Sequence, residues 1–190
     1  MADADKGECN NQNIGRESTS YLEFIIRHYD NLPQYVAFLH GHETAWHQKE
    51  DVLHRLNTFS PDTCMKNYIS LNKHWLWKDE GKTNPDMERD DKLGYLDVWK
   101  EWFEKELGPA PSREAYFQHD CCAQFIVSRK AILRHKKESY KRWHKFLSDE
   151  KENYWRTILF EHVWHMIFGE PMSVTEHGYY KDFESCFTEM

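Results

Sequence analysis

The sequence predicts an α/β domain with a small, mostly parallel sheet, flanking helices and a helical C-terminal third, and three observations carry that prediction. An amphipathic run reaching Tyr29 is broken by Pro33 and followed by the unbroken apolar segment Tyr35-Val36-Ala37-Phe38-Leu39, the pattern of a strand covered on both faces. A second such segment, Cys122-Ala123-Gln124-Phe125-Ile126-Val127, is followed by Ser128, a residue suited to cap a helix starting near Lys130. Beyond it the apolar spacing is helical to Gly169, whereas alternation of helix and strand supports a parallel sheet only as far as residue 72.

Taken in order, residues 1–12 show no periodicity and read as a disordered or truncated N-terminus, residues 13–170 as one domain, and residues 171–190 as a loosely packed C-terminal extension. In the first helix, over residues 18–30, Ser20 and Glu23 have the spacing of a capping box, and Tyr21, Ile25, Tyr29 and Leu32 recur at helical intervals with Leu22 and Ile26 beside them. Trp46, Leu53 and Leu56 among charges suggest a surface helix over 44–56, with His47 and His54 solvated, and Tyr68 to Leu71 suggests a short strand. Lys73 to Asp90 reads as a long irregular loop. Leu96, Trp99, Phe103 and Leu107 then repeat at helical spacing until Gly108-Pro109. Glu138 to Asp149 carries Tyr140, Trp143, Phe146 and Leu147 on one side, and Leu159, Val163 and Met166 with Trp155, Ile158 and Ile167 form a last apolar face.

Composition narrows the function classes. A 190-residue chain can bury about 70% of its unfolded surface. Although 30% of residues are charged, 8 Trp, 10 Tyr and 11 Phe supply the large side chains that disordered chains lack. A net charge of -7 without a sustained basic stripe argues against a general nucleic-acid binder, and Arg134-His135-Lys136-Lys137 reads as a solvated helix face. No apolar run approaches a membrane span and the acidic start is unlike a signal, so a soluble, cytoplasmic protein is expected. Five cysteines without Cys-x-x-Cys spacing fit reduced thiols, and adjacent Cys121 and Cys122 fit a packing role.

Polar chemistry begins where the first strand stops. His40 and His42, alternate residues near Glu43 and His47, can aim two imidazoles to one side and hold a divalent metal; otherwise His42 hydrogen-bonds its loop. Arg16 and Glu17 stand at a helix entrance, where a guanidinium and backbone N–H groups hold a phosphate, or where the pair fixes the loop. Glu161 and His165, four apart, share a helix face: a carboxylate partly buried near Trp164 would have a raised pKa and serve as a general base, the alternative being a surface Glu–His pair. His162 reads as a core histidine. Gln124 and Arg129 flank the second strand and are candidates to line the same cleft or to be structural.

Asn13-Ile14-Gly15-Arg16-Glu17, Tyr21-Leu22, Tyr29-Asp30-Asn31-Leu32-Pro33 and Phe38-Leu39-x-Gly41-His42 resemble the signature of the domain-of-unknown-function family 3431. Ala123-Gln124-Phe125-x-Val127-Ser128-Arg129-x-x-Ile132 and Glu161-x-x-Trp164-His165-x-Ile167-Phe168-Gly169 extend the resemblance over residues 6–170. The Gly-Arg-acid block and the apolar strand ending in a His-rich turn are also similar to polysaccharide glycosyltransferases of the rhamnan-synthesis type. That similarity implies a sugar-nucleotide (GT-A-like) fold, and the resemblance to family 3431 implies that it is N-terminally incomplete, because members of that family carry, before a Lys-Gly like Lys6-Gly7, a first strand and helix that this sequence lacks. A fragment, a misplaced gene start, or a sheet completed otherwise are the three explanations. The implied activity is transfer of a sugar from a nucleotide-diphosphate donor to a carbohydrate or small hydroxyl acceptor, with Mn or Mg as a candidate cofactor. Arg16 would hold the diphosphate, His42 would neutralise the leaving group, alone or through a metal, and Glu161 would take the acceptor proton. A non-catalytic binding or scaffold domain is the alternative, favoured by the missing strand and the absence of an Asp-x-Asp motif after either expected strand; a metal-dependent hydrolase is the third.

Overall fold

The structure, a computed structural model, is described for residues 15–41, 51–72, 95–110, 123–149, 154–171 and 184–188. Residues 1–12, Asn13, Ile14, His42, Glu43, His47, the expected loop over 73–90, Cys121 and Cys122 lie outside them.

The elements in chain order are α1 (Arg16–His28), β1 (Tyr35–Phe38), α2 (Val52–Thr58), β2 (Tyr68–Ser70), α3 (Tyr95–Trp102), α4 (Glu104–Leu107), β3 (Phe125–Ser128), α5 (Arg129–Ile132), α6 (Lys137–Ser148) and α7 (Tyr154–Ile167). The α/β class holds, but the expected parallel sheet is corrected: the three strands are ordered β1-β3-β2 and β3 is antiparallel to both neighbours. Val36 pairs with Val127 and Ile69 with Ile126. The apolar runs suggested a parallel sheet because both faces of β3 are buried. Here an antiparallel strand meets the same condition, so the run reports coverage and not direction.

Alternation along the strands sorts the two faces. Val36, Phe38, Tyr68, Phe125 and Val127 join the major core with α1, α3, α6 and α7. Tyr35, Leu39, Ile69, Leu71 and Ile126 face a smaller core with Val52, Leu56 and Phe59 of the α2 region and Cys186 and Phe187 of the C-terminal segment. The major core is aromatic: Trp164 stacks on Phe168 at 5.7 Å, and Phe125 lies 5.5 Å from Trp164 and 6.0 Å from Tyr21. Indole N–H groups at its margin find carbonyls, Trp99 donating to Gly108 and Trp143 to Trp102.

Helix α1 starts at Arg16 and not at the Ser20 capping box. Gly15 is its N-cap, in the left-handed region at φ 75°, and a Cβ there would fall 2.0 Å from the Thr19 hydroxyl, so both conformation and space require glycine. Tyr140, Trp143, Phe146 and Leu147 of α6 are all buried, as their spacing predicts. Ser128 caps α5 by accepting from Ala131 N–H at 3.1 Å. Asp51 caps α2, which buries Val52, Arg55 and Thr58 while Leu53 stays 52% exposed, so the expected Leu53–Leu56 stripe is shifted round the helix. Among the described residues no helix is long and apolar enough to cross a membrane.

The expectation of reduced thiols is also corrected. Cys64 and Cys186 form a disulfide across 122 residues. Residues 184–188 of the C-terminal segment are thereby pinned beside α2, where Phe187 bridges Phe59, Thr188 N–H donates to Thr58 at 2.8 Å and Arg55 lies over the Phe187 ring. An odd cysteine count with no local spacing gives no sequence signal for a pair this far apart.

Candidate functional site

The antiparallel order brings the carboxyl ends of β1 and β2 and the amino end of β3 to the same edge of the molecule. Gln124, fully buried immediately before β3, ties the three together. Its side-chain carbonyl accepts from the His40 backbone N–H at 3.1 Å, its amide donates to Asn72 Oδ1 at 3.2 Å, and its own carbonyl accepts from Leu71 N–H at 2.9 Å and from Asn72 Nδ2 at 3.3 Å. A buried amide with both ends occupied fixes where the chain leaves β1 and β2.

The start of α1 closes this edge from above. Glu17 Oε1 lies 3.9 Å from His40 Nε2, and both side chains are about one-fifth exposed. Tyr21, one turn on, has its hydroxyl pKa pushed well up, first by burial and then by the Glu17 carboxylate, so it stays a neutral phenol throughout the physiological range. Ser18, Thr19 and Tyr21 hydroxyls and the Trp164 indole nitrogen are buried with no hydrogen-bond partner among the described residues. Four such atoms near one helix start are unusual, because a buried polar group left unpaired costs about 1–3 kcal/mol. Arg16 adds backbone strain at φ 52°, a left-handed conformation that a non-glycine residue adopts at a cost of order 1–3 kcal/mol.

Helix α7 reaches this edge through Trp164, whose ring centroid is 6.1 Å from that of Tyr21. Glu161 precedes Trp164 by about one turn and is partly exposed, whereas His165 is 1% exposed. His162 is the less buried of the two histidines, opposite to the sequence expectation, because α7 is covered on several sides: Phe160 packs on Phe103 and Phe146, Trp164 on Tyr21 and Phe125.

Of the residues singled out from sequence, Arg16, Glu17, His40 and Gln124 therefore share one edge, with the α7 segment carrying Glu161 and His165 packed against α1 through Trp164. Arg129 does not join them. It follows the other end of β3, about 16 Å along the strand from Gln124, where its Nε donates to the Pro33 carbonyl at 3.3 Å and its backbone N–H to Gln34 at 2.8 Å. The parallel-sheet expectation set Arg129, just past the carboxyl end of β3, beside the end of β1; with β3 antiparallel, Gln124 takes that place and Arg129 lies at the opposite end of the sheet. His42, the second expected metal ligand, lies outside the described residues, among which no three His, Cys, Asp or Glu side chains gather.

Sequence reasoning missed Asn72 and the Ser18–Tyr21 hydroxyls. Asn72 had the same signal as His40, a polar residue directly after an apolar strand. No curated protein and no solved structure matched the chain. A family model matches residues 1–189, and the chain belongs to that family, described as "Protein of unknown function (DUF3431)".

Proposed function

We propose that the edge built by Arg16, Glu17, His40 and Gln124 is a ligand site for a nucleotide-diphosphate sugar, and that the protein acts as a glycosyltransferase-like enzyme toward a carbohydrate or small hydroxyl acceptor. The observation that carries this reading is the group of buried, unpartnered polar atoms on Ser18, Thr19, Tyr21 and Trp164 beside the partly buried Glu17–His40 pair. Such atoms suit a ligand rich in hydroxyl and phosphate oxygens. The position is the end of the sheet where the chain leaves β1 and β2 and where Gln124 joins both to β3.

In this reading Arg16 holds the diphosphate, Glu161 takes the acceptor proton, and His165, being buried, orients the α7 segment behind it. The described side chains that could hold Mn or Mg are His40 and Glu17, 3.9 Å apart, and a divalent ion held by them would supply charge neutralisation of the leaving diphosphate.

Melting curves with a panel of uridine- and guanosine-diphosphate sugars, with and without Mn, test the reading. At least one should raise the melting temperature, Arg16→Ala should abolish that shift, and Glu161→Gln should keep it while slowing transfer about 10²- to 10⁴-fold. The double change His40→Ala, His42→Ala should remove any Mn effect. Stabilisation without transfer by the wild-type chain would favour a non-catalytic binding domain, a reading that the 1% exposure of His165 supports. No stabilisation by any donor would overturn both.

A further inference from the structure

The opposite end of the sheet carries a second cleft of about 900 Å³, bounded by Gln34 before β1, Asn67 before β2, Ser128 at the end of β3, and Arg129, Lys130 and Arg134 of the α5 region. Tyr35 and Leu133 give it an apolar floor. Its lining holds three cations and no carboxylate, although the whole chain carries a net charge of -7. That contrast sets it apart from a solvated surface of mixed sign.

Both arginines are positioned by their surroundings. Arg129, which lines the cleft, is anchored through Nε to the Pro33 carbonyl at 3.3 Å. The Arg134 guanidinium lies directly over Gly169: a Cβ at Gly169 would fall 1.6 Å from Nη1, so the glycine, at φ 96°, makes room for it. Glu170, next in sequence, is mostly buried near Arg134 and Lys66, and burial raises its carboxyl pKa against their pull. It offsets part of the Arg134 charge and leaves Arg129 and Lys130 uncompensated within the cleft. Ser128 donates to Asn67 Oδ1 at 2.9 Å, which directs the Asn67 amide nitrogen away from that bond as a further donor.

We infer that this cleft binds a phosphate-bearing small molecule, with Arg129, Lys130 and Arg134 on the phosphate oxygens and Tyr35 and Leu133 against the remainder of the ligand. Two guanidinium groups and an ammonium around one opening match a di- or polyanion better than a single carboxylate, since each arginine can make a paired contact. The volume accommodates a ligand of cofactor size. The site is separate from the Glu17–His40 edge and does not depend on its assignment.

Inorganic pyrophosphate is the probe. Titrated into the full chain at low ionic strength and followed by backbone amide NMR and calorimetry, it should shift the amides of Gln34, Asn67 and residues 129–134. The affinity should fall several-fold between 20 and 150 mM salt, on the order expected from screening. Arg129→Ala and Arg134→Ala should each weaken binding about tenfold, a loss typical of a charge-assisted contact. Lys130→Glu, a change at an exposed side chain that leaves the core untouched, should abolish it, whereas Lys141→Ala on the exposed side of α6 should change nothing. Absence of binding, equal loss in Lys141→Ala, or shifts confined to Glu17–Tyr21 would overturn the assignment. A phosphomonoester that binds more tightly than pyrophosphate and shows the same variant pattern would support it and identify the apolar floor as a contact.

Discussion

The two ends of β3 are four residues apart in sequence and opposite in character. At the Gln124 end the charged groups are partly buried, carry both signs and lie against the aromatic core; at the Ser128 end the charged groups lining the cleft are exposed, all basic, and border the smaller core closed by the disulfide. The same short strand organises both, but different forces hold them. Packing of Tyr21, Phe125 and Trp164 fixes the first, whereas the second depends on the loop carrying Cys64, Lys66 and Asn67, whose carbonyls at 64 and 66 accept from the Tyr35 hydroxyl at 3.0 and 3.3 Å.

Removing the packing at the first end should have the largest effect. Trp164→Ala takes an indole from full burial among Tyr21, Phe125, Phe160 and Phe168 and should cost about 3–5 kcal/mol in denaturant unfolding. A loss under about 1 kcal/mol would show that this end is not held by packing. The second end should respond to the disulfide instead. The paired change Cys64→Ala, Cys186→Ala should destabilise by about 2–5 kcal/mol and loosen the 60–67 loop in hydrogen exchange, leaving protection at Gln124 in place. Mass spectrometry of the unreduced protein should recover a peptide pair joining Cys64 to Cys186.

A smaller effect should come from Gln124→Ala. It leaves the His40 N–H and Asn72 side chain short of partners and should cost about 1–3 kcal/mol, with faster exchange at His40. The smallest is pH-dependent and belongs to neither end alone. His135 is pushed below its ordinary pKa by burial, with the Ile167 carbonyl, 2.8 Å from Nε2, pulling it partly back. The unfolded chain therefore binds this proton more readily, and stability should fall as pH drops through the unfolded value of about 6.5 toward the lower folded one. His135→Gln should flatten that slope. Glu170 has the opposite sign: its raised pKa means that stability from the protonated carboxyl is lost as pH rises from about 4.3 through the folded value.

Much of the fold could be read from residue spacing, because helical periodicity and strand continuity are local. The four buried residues of α6, the Ser128 cap and the strand at 35–38 follow from neighbours within a turn or two. Strand direction does not, since an antiparallel β3 covered on both faces writes the same apolar run as a parallel one, and that single reversal put Gln124 and not Arg129 beside His40. Arg16, Glu17 and His40 were legible as polar residues at element ends. Their convergence with Ser18, Tyr21 and Trp164 was not, because it depends on how α1 and α7 meet across the sheet.

On the proposed function, the Glu17–His40 edge, and not the basic cleft, takes the nucleotide-diphosphate sugar. Hydrogen exchange on the Arg129→Ala, Arg134→Ala protein, in which the cleft is silenced, measures this directly in the presence of saturating donor. Slowed exchange is expected at the amides of Tyr21 and Gln124 and in the 17–20 segment, with no change at 129–134. Loss of all donor protection in that variant, or protection appearing only around residues 129–134, would contradict it.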